Sequence, residues 1–155
     1  LEHRIGWLEK AANTGNVSYD ADNHDYMVKL RQQKIDVIAD FIPDLKVYGE
    51  SNGELLVLSW GGTYGACRAA VEKAIKNGIS VSHVNLKHIN PFPKNLAEIL
   101  LKFNKVLIPE INLGQLSTIV RSKFLIDTVN FNRVSGKPFT TSDIFEKIEQ
   151  IIEGN

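Results

Sequence analysis

The 155-residue sequence is poor in sulfur and carries no excess charge: it has one cysteine, Cys67, one methionine and a formal net charge of zero. A single thiol cannot form an intramolecular disulfide, and it cannot supply the ligands of a Cys-rich zinc site or an iron-sulfur cluster. Because 18 basic residues are balanced by 18 acidic ones, no basic field is available to hold a polyphosphate chain. These absences argue against a disulfide scaffold and against general nucleic-acid binding.

Long apolar runs are also missing, as is a charged-then-apolar leader segment. We therefore expect a soluble protein with no membrane partner. We expect it in the cytoplasm, because that reducing compartment suits an unpaired thiol. The four histidines, His3, His24, His83 and His88, lack the spacing of metal ligands, so we expect no metal site. The chain begins with Leu1 rather than with methionine, and we expect it to be part of a longer protein.

The first 43 residues differ from the rest. Residues 1–23 are polar, contain Gly6 and Gly15, and show neither a helical nor a strand period, which predicts an extended arm. Apolar residues then recur every three or four positions over residues 24–41, with Asn23 as candidate N-cap and Pro43 just beyond the end. We predict a linker arm plus an amphipathic helix over residues 1–43, and a second domain over residues 44–155.

Short apolar runs alternate with helical periods after residue 44, and this alternation predicts an α/β domain. Because βα crossovers join parallel strands, we expect a mostly parallel sheet covered on both faces, with the first strand antiparallel. The predicted strands cover residues 45–48, 54–60, 79–86, 105–108 and 130–134, and the predicted helices cover residues 65–77, 94–103, 114–123 and 142–152.

A glycine-rich turn, Trp60-Gly61-Gly62-Thr63-Tyr64-Gly65, joins a predicted strand to a predicted helix. It lacks the spacing of a dinucleotide-binding or phosphate-binding loop. A tight turn is the simpler interpretation. The alternative is an anion or coenzyme fragment bound by the backbone N–H groups at the start of the helix.

A second segment at the same predicted edge of the sheet runs from Pro109 to Leu116, where Glu110, Asn112 and Gln115 could bring together a carboxylate and two amides. A carboxylate without a partner base is more often a helix cap or an interface group than a catalyst. We therefore predict a coenzyme or domain-interface edge and no catalytic residue. The candidate edge residues are Gly61, Gly62, Thr63, Gly65, Glu110, Asn112 and Gln115.

Two other classes of function remain open from the residues alone. A stand-alone binding or protein-interaction module predicts a closed pocket. A hydrolase or transferase predicts a nucleophile with a base within hydrogen-bonding reach, such as a histidine beside Cys67 or Ser59.

Taken together, six short segments resemble the C-terminal part of the alpha subunit of 2-oxoacid:ferredoxin oxidoreductases, most closely of the 2-oxoglutarate type. The segments are Glu2-His3-Arg4-Ile5-Gly6, Thr14-Gly15-Asn16-Val17-Ser18-Tyr19, Trp60-Gly61-Gly62-Thr63-Tyr64-Gly65, Asn90-Pro91-Phe92-Pro93, Pro109-Glu110-Ile111-Asn112-Leu113-Gly114-Gln115-Leu116 and Gly136-Lys137-Pro138-Phe139.

The resemblance implies a three-layer α/β/α domain like the transketolase C-terminal domain, with a five-stranded mixed sheet that has one antiparallel strand. It also implies an enzyme complex in which thiamine diphosphate, Mg²⁺ and [4Fe-4S] clusters convert a 2-oxoacid and coenzyme A into acyl-CoA and CO₂ while ferredoxin is reduced. These cofactors would lie in upstream domains of the alpha subunit and in the beta subunit. The chain itself would be an accessory domain, inactive alone, whose partners are those domains.

Overall fold

The computed structural model describes residues 8–154, so the first of the six segments, residues 2–6, lies outside the described residues. The chain divides into two compact units between Ile42 and Pro43. No helix among the described residues is long and apolar enough to cross a bilayer.

The first unit contains more local structure than the predicted extended arm. β1 (Glu9–Lys10) pairs antiparallel with β2 (Val17–Ser18), and α1 (Ala21–Asp36) leads into a 3-10 turn, Val37–Phe41. The helix begins three residues before the predicted start because the Asp20 carboxylate, rather than Asn23, provides the cap by accepting from the Asn23 N–H at 2.7 Å. Asn23 instead bonds the hairpin, donating to the Lys10 carbonyl at 2.9 Å.

Glu9 connects the hairpin to the helix within this first unit. Its carboxylate accepts from both terminal nitrogens of Arg31 at 3.1 and 3.2 Å and lies 2.8 Å from His24 Nδ1. The Arg31 guanidinium, with the Lys10 N–H, lowers the pKa of Glu9 to about 2. The segment that looks featureless in sequence is therefore held by side chains that are 15 and 22 residues apart.

The second unit has the predicted α/β order. Its strands are β3 (Gly53–Trp60), β4 (Val81–Leu86), β5 (Phe103–Glu110) and β6 (Val129–Asn132), and its helices are α2 (Tyr64–Lys76), α3 (Leu96–Leu100), α4 (Gln115–Phe124) and α5 (Thr141–Glu153). The four strands are parallel, in the spatial order β4-β3-β5-β6.

The expected fifth, antiparallel strand is reduced to a single bridge. Tyr48 and His83 exchange backbone hydrogen bonds of 2.9 and 2.8 Å in an antiparallel sense, at the β4 edge of the sheet. The pairing does not extend to Leu45, because its N–H and C=O are both bonded to the side-chain amide of Asn95, at 3.0 Å each. The predicted antiparallel orientation is right. The strand is limited to one bridge because the Asn95 side chain bonds the backbone N–H and C=O of Leu45.

Helices cover both faces of the sheet, which gives the three-layer α/β/α arrangement. One core lies between the sheet and the pair α2 and α5, with Leu55, Val57 and Leu107 on the strands. The other core includes α3 and α4, with Leu56 and Ile108 from the strands. Residues 55–58 of β3 are fully buried, as expected for a central parallel strand.

Helix α5 starts with a capping box built on Thr140. The Thr140 hydroxyl accepts from the Asp143 N–H, and the Asp143 carboxylate accepts from the Thr140 N–H at 2.7 Å. Arg133 also donates to Asp143 at 2.8 Å. The Arg133 guanidinium, with the two Thr140 donors, holds the pKa of Asp143 well below its usual value.

We expect this cluster to contribute to the acid sensitivity of the fold. Unfolded Asp143 takes up its proton near pH 4, whereas the folded carboxyl does so at lower pH, so its contribution to stability is present above about pH 4 and is lost below it. In urea titrations between about pH 5 and 2, Asp143→Asn should show a shallower fall in unfolding free energy than the wild type. The exposed Asp44→Asn is the control and should keep the wild-type slope, whereas equal slopes for all three proteins would contradict the assignment.

Candidate functional site

The carboxyl ends of the four parallel strands lie at one edge of the sheet, followed by Gly61, Lys87, Ile111 and Arg133. In open α/β sheets, this edge is where ligands and helix N-termini meet. The pairing between β3 and β5 stops at Val57 and Leu107, three residues before either strand ends. The two strands therefore separate at this edge, which carries both segments that the sequence singles out.

The glycine-rich segment forms a 3-10 turn, Gly61–Thr63, directly before α2. Gly61 has φ +54°, a left-handed conformation that favours glycine. Thr63 is buried at the helix start, but its hydroxyl donates to the Trp60 carbonyl at 2.9 Å rather than capping α2. A side chain added at Gly62 or Gly65 would meet nothing within 4 Å, so the surface above the turn is open.

Glu110 is fully buried at the end of β5, and its carboxylate is used inside the fold. It accepts from the Leu116 N–H at 2.8 Å, from the Ser117 N–H at 3.0 Å and from the Asn112 side-chain amide at 3.2 Å. The two backbone donors lie in the first turn of α4, where the helix dipole also favours a negative charge. The carboxylate is a helix cap, and it occupies the place where an external anion would bind.

Asn112 completes this cap and Gln115 does not. The Asn112 side-chain oxygen accepts from the backbone N–H of Gly114 at 2.7 Å and of Gln115 at 3.1 Å. The Gln115 residue is exposed, so only its backbone joins the cluster. The same loop leaves Ile111 at 51% and Leu113 at 81% exposure. The loop therefore turns its polar groups inward and two apolar side chains outward.

The main cavity at this edge lies toward β4, away from Glu110. It has a volume of about 890 Å³ and lies between the ends of β3 and β4, the start of α2 and the segment after Pro43. Of the seven candidate edge residues, Gly61 alone lines it. The basic lining residues Lys46, Arg68 and Lys87 lie on three different segments, so no local motif in the sequence could have identified them.

A buried polar cluster forms the floor of the cavity. His83 Nε2 lies 2.7 Å from Ser59 Oγ, and the Ser59 hydroxyl donates to the Asn85 side-chain oxygen at 2.9 Å. Since the Ser59 proton is given to Asn85, the His83 ring must donate to Ser59 through Nε2. Burial, together with the nearby positive charge of Arg68, lowers the pKa of His83 to about 4, so its imidazole is neutral at pH 7.

This cluster contains the serine and histidine that a hydrolase would need, but with the wrong accessibility and hydrogen-bond direction. Ser59 is fully buried, and its proton points away from the histidine, whereas a catalytic serine donates to its base. Cys67 is also fully buried in α2, and burial raises the pKa of its thiol to about 12. Neither side chain is placed as a nucleophile.

The iron-sulfur cluster and the Mg²⁺ ion implied by the resemblance do not fit the residues that the structure describes. The single thiol, Cys67, cannot ligate a [4Fe-4S] cluster. Within residues 8–154, no group of three or more His, Cys, Asp or Glu side chains is arranged to hold a metal ion. The buried carboxylate at Glu110 is committed to helix α4, so it offers no ligand for Mg²⁺.

Comparison with known proteins gives a consistent result. The family model described as pyruvate:ferredoxin oxidoreductase core domain II matches residues 53–144. The chain is 44% identical to 2-oxoglutarate oxidoreductase subunit KorA of Mycobacterium tuberculosis over 99% of its own length and 23% of that protein. It is 28% identical to 2-oxoacid:ferredoxin oxidoreductase 1, subunit alpha, of Sulfurisphaera tokodaii, again covering 23% of the relative. The chain thus spans about a quarter of these relatives.

Solved structures agree in fold. The 2-oxoglutarate:ferredoxin oxidoreductase from Magnetococcus marinus, with 2-oxoglutarate, coenzyme A and succinyl-CoA bound, aligns with a TM-score of 0.89 and 28% identity over 97% of this chain and 27% of that chain. A split-gene transketolase, in an inactive beta4 tetramer, aligns with a TM-score of 0.51 and 15% identity over 64% of this chain and 38% of that chain, which supports likeness of fold alone. The predicted transketolase-like α/β class is confirmed.

Proposed function

Because the chain belongs to the pyruvate:ferredoxin oxidoreductase core domain II family, we propose that it is an accessory domain of the alpha subunit of a 2-oxoacid:ferredoxin oxidoreductase. The 2-oxoacid proposed is 2-oxoglutarate, on the basis of the 44% identity to the Mycobacterium tuberculosis relative. In this proposal the complete complex makes acyl-CoA and CO₂ and reduces ferredoxin in the cytoplasm. The domain contributes to assembly and does not perform the chemistry.

One observation carries the accessory role: where β5 ends at the functional edge of the sheet, the polar groups are satisfied internally while apolar side chains face outward. Glu110 and Asn112 are committed to the start of α4, and Ser59 is buried. Ile111 and Leu113 are exposed in the intervening loop. Apolar side chains grouped at a loop beside an open glycine turn favour contact with another protein surface over chemistry on a small substrate.

The proposed occupant of this edge is the remainder of the same alpha subunit. The chain covers 27% of the Magnetococcus marinus chain, which leaves most of such a subunit available as a partner. Gly61, Gly62 and Gly65 would allow close backbone approach, with the buried Thr63 holding their turn, and the loop from Glu110 to Gln115 would supply the apolar contacts. Contact with coenzyme A at the start of α4 is not proposed, because Glu110 already fills the anion position there.

Thiamine diphosphate, Mg²⁺ and the iron-sulfur clusters are proposed to lie in upstream domains and in the beta subunit. When bound there, they would supply carbanion stabilisation and electron transfer. This chain would hold its partners in position. The stand-alone binding or interaction module that the sequence left open is not favoured, given the family and the alignment over nearly the whole chain.

Hydroxyl-radical footprinting of the assembled alpha-beta complex tests the proposed interface. Leu113 and Leu101 are matched probes, because they are 81% and 73% exposed in this chain. Leu101 follows α3 at the opposite, amino-terminal edge of the sheet. We expect oxidation of Leu113 to be suppressed at least about tenfold relative to Leu101 because an interface excludes water. Equal oxidation of the two leucines would contradict the proposed interface.

A further inference from the structure

The cavity between the ends of β3 and β4 has an unbalanced charge that the proposed interface does not use. Lys46, Arg68 and Lys87 line it, and Asp44 is its one acidic lining residue. Within the described chain, none of these three basic side chains makes an ion pair. By contrast, Lys29, Lys76 and Lys102 on the helix surfaces each pair with a carboxylate four residues away. The cavity therefore carries an excess of positive charge, which Asp44 in its lining and Glu72 near Arg68 offset only in part.

Aromatic rings form its walls. Trp60 and Tyr64 flank the glycine turn, and Tyr48 lies on the edge segment. The Arg68 guanidinium carbon stacks over the Tyr48 ring at 3.0 Å from its centroid, so that charge is held in place. Tyr64 is 48% exposed, which leaves ring surface available. A planar ring that entered the cavity could stack on these side chains.

The floor adds an unsatisfied acceptor. His83 is 2% exposed and donates through Nε2 to Ser59, so in the neutral ring Nδ1 carries a free lone pair. No side-chain nitrogen or oxygen among the described residues is both fully buried and unpartnered, so Nδ1 keeps contact with solvent. Since the ring lines the cavity, this acceptor is available to an N–H or O–H group of a bound molecule.

We propose that this cavity binds a nucleoside phosphate, with its base stacked on Trp60 or Tyr64, an N–H of the base donated to His83 Nδ1, and its phosphates paired with Lys46, Arg68 and Lys87. The volume of about 890 Å³ is within the range of small-molecule sites. A free anion would use the charges alone, whereas a nucleoside phosphate also uses the rings and the acceptor. This inference goes beyond the proposed assembly role and depends on different residues.

Titration of the 155-residue chain with ADP and with inorganic phosphate tests this site. Trp60 lines the cavity, so ADP should quench tryptophan fluorescence saturably, and phosphate should bind at least about tenfold more weakly. The double variant K46Q/K87Q should weaken ADP binding by about tenfold or more, because it removes two charged donors. Lys137→Gln, an exposed lysine outside the cavity, is the matched control and should bind ADP as the wild type does.

Three results would overturn the site: no saturable quenching by ADP up to about 10 mM, equal affinity for ADP and phosphate, or equal ADP affinity in K46Q/K87Q and Lys137→Gln. Trp60→Phe provides a second check. It should abolish the ligand-dependent quenching while calorimetry still detects ADP binding, because phenylalanine keeps a ring for stacking. Quenching that survives this substitution would place the ligand elsewhere. Failure of this test leaves the footprinting result at Leu113 unaffected.

Discussion

Glu110→Ala is expected to destabilise the second unit by about 3 to 5 kcal/mol, a large fraction of the stability of a domain of this size. The substitution leaves the buried N–H groups of Leu116 and Ser117 without their acceptor and removes the charge at the start of α4. Each unsatisfied buried donor costs about 1 to 3 kcal/mol. Urea-induced unfolding, followed by circular dichroism, measures the loss.

Two further variants make this prediction specific. Glu110→Gln keeps one carbonyl acceptor, so it should cost less than alanine, about 2 kcal/mol, and it remains measurable if the alanine variant does not fold. Glu54→Ala removes an exposed glutamate at the start of β3 and should change stability by no more than about 0.5 kcal/mol. If Glu110→Ala were as mild as Glu54→Ala, Glu110 would not be the cap described here and would be available to an external partner.

Leu113→Asp is expected to loosen the assembled alpha subunit without unfolding this domain. Burying one leucine side chain contributes about 1.5 to 3 kcal/mol, and placing a carboxylate in the same apolar contact adds a desolvation cost. A loss of about 3 kcal/mol raises the population of the undocked state roughly a hundredfold. In the complex, amide hydrogen exchange over residues 111–115 should accelerate by a similar factor.

Leu101→Asp is the matched control, since it places the same charge on a similarly exposed leucine at the other end of the sheet. It should leave the exchange of residues 111–115 unchanged. Both variants should have the wild-type unfolding free energy in the 155-residue chain, within about 0.5 kcal/mol, because both side chains are exposed there. Equal exchange in the two variants would place the docking surface somewhere other than this edge.

Much of the fold could be predicted because the central strands are short apolar runs bounded by turn residues. The run at residues 54–60 lies within a strand whose four central residues, 55–58, are fully buried, and Gly78 follows α2 with φ +78° as expected of a helix stop. Two of the differences arise where a side chain bonds the backbone, one of them from 50 residues away. Asn95 ends the antiparallel pairing at Leu45, and Asp20 moves the start of α1.

The candidate site was predictable only in part for the same reason. Strand order placed the glycine turn and the Glu110 segment at one edge, and the capping role of Glu110 was one of the stated alternatives. The cavity was not found, because its charges come from separate segments. His83 in the middle of β4 was one available signal, since a buried polar side chain needs a hydrogen-bonding partner.

The most direct test of the central claim is an assay of 2-oxoglutarate-dependent electron transfer by the purified, cooperatively folded 155-residue chain. The chain would be supplied with thiamine diphosphate, Mg²⁺, coenzyme A and oxidised ferredoxin, with the complete alpha-beta complex as the positive control. If this domain only positions the other domains and the cofactors lie in those domains, the complex reduces ferredoxin. The isolated chain then gives no ferredoxin reduction above the protein-free blank. Ferredoxin reduction by the isolated chain would contradict the account.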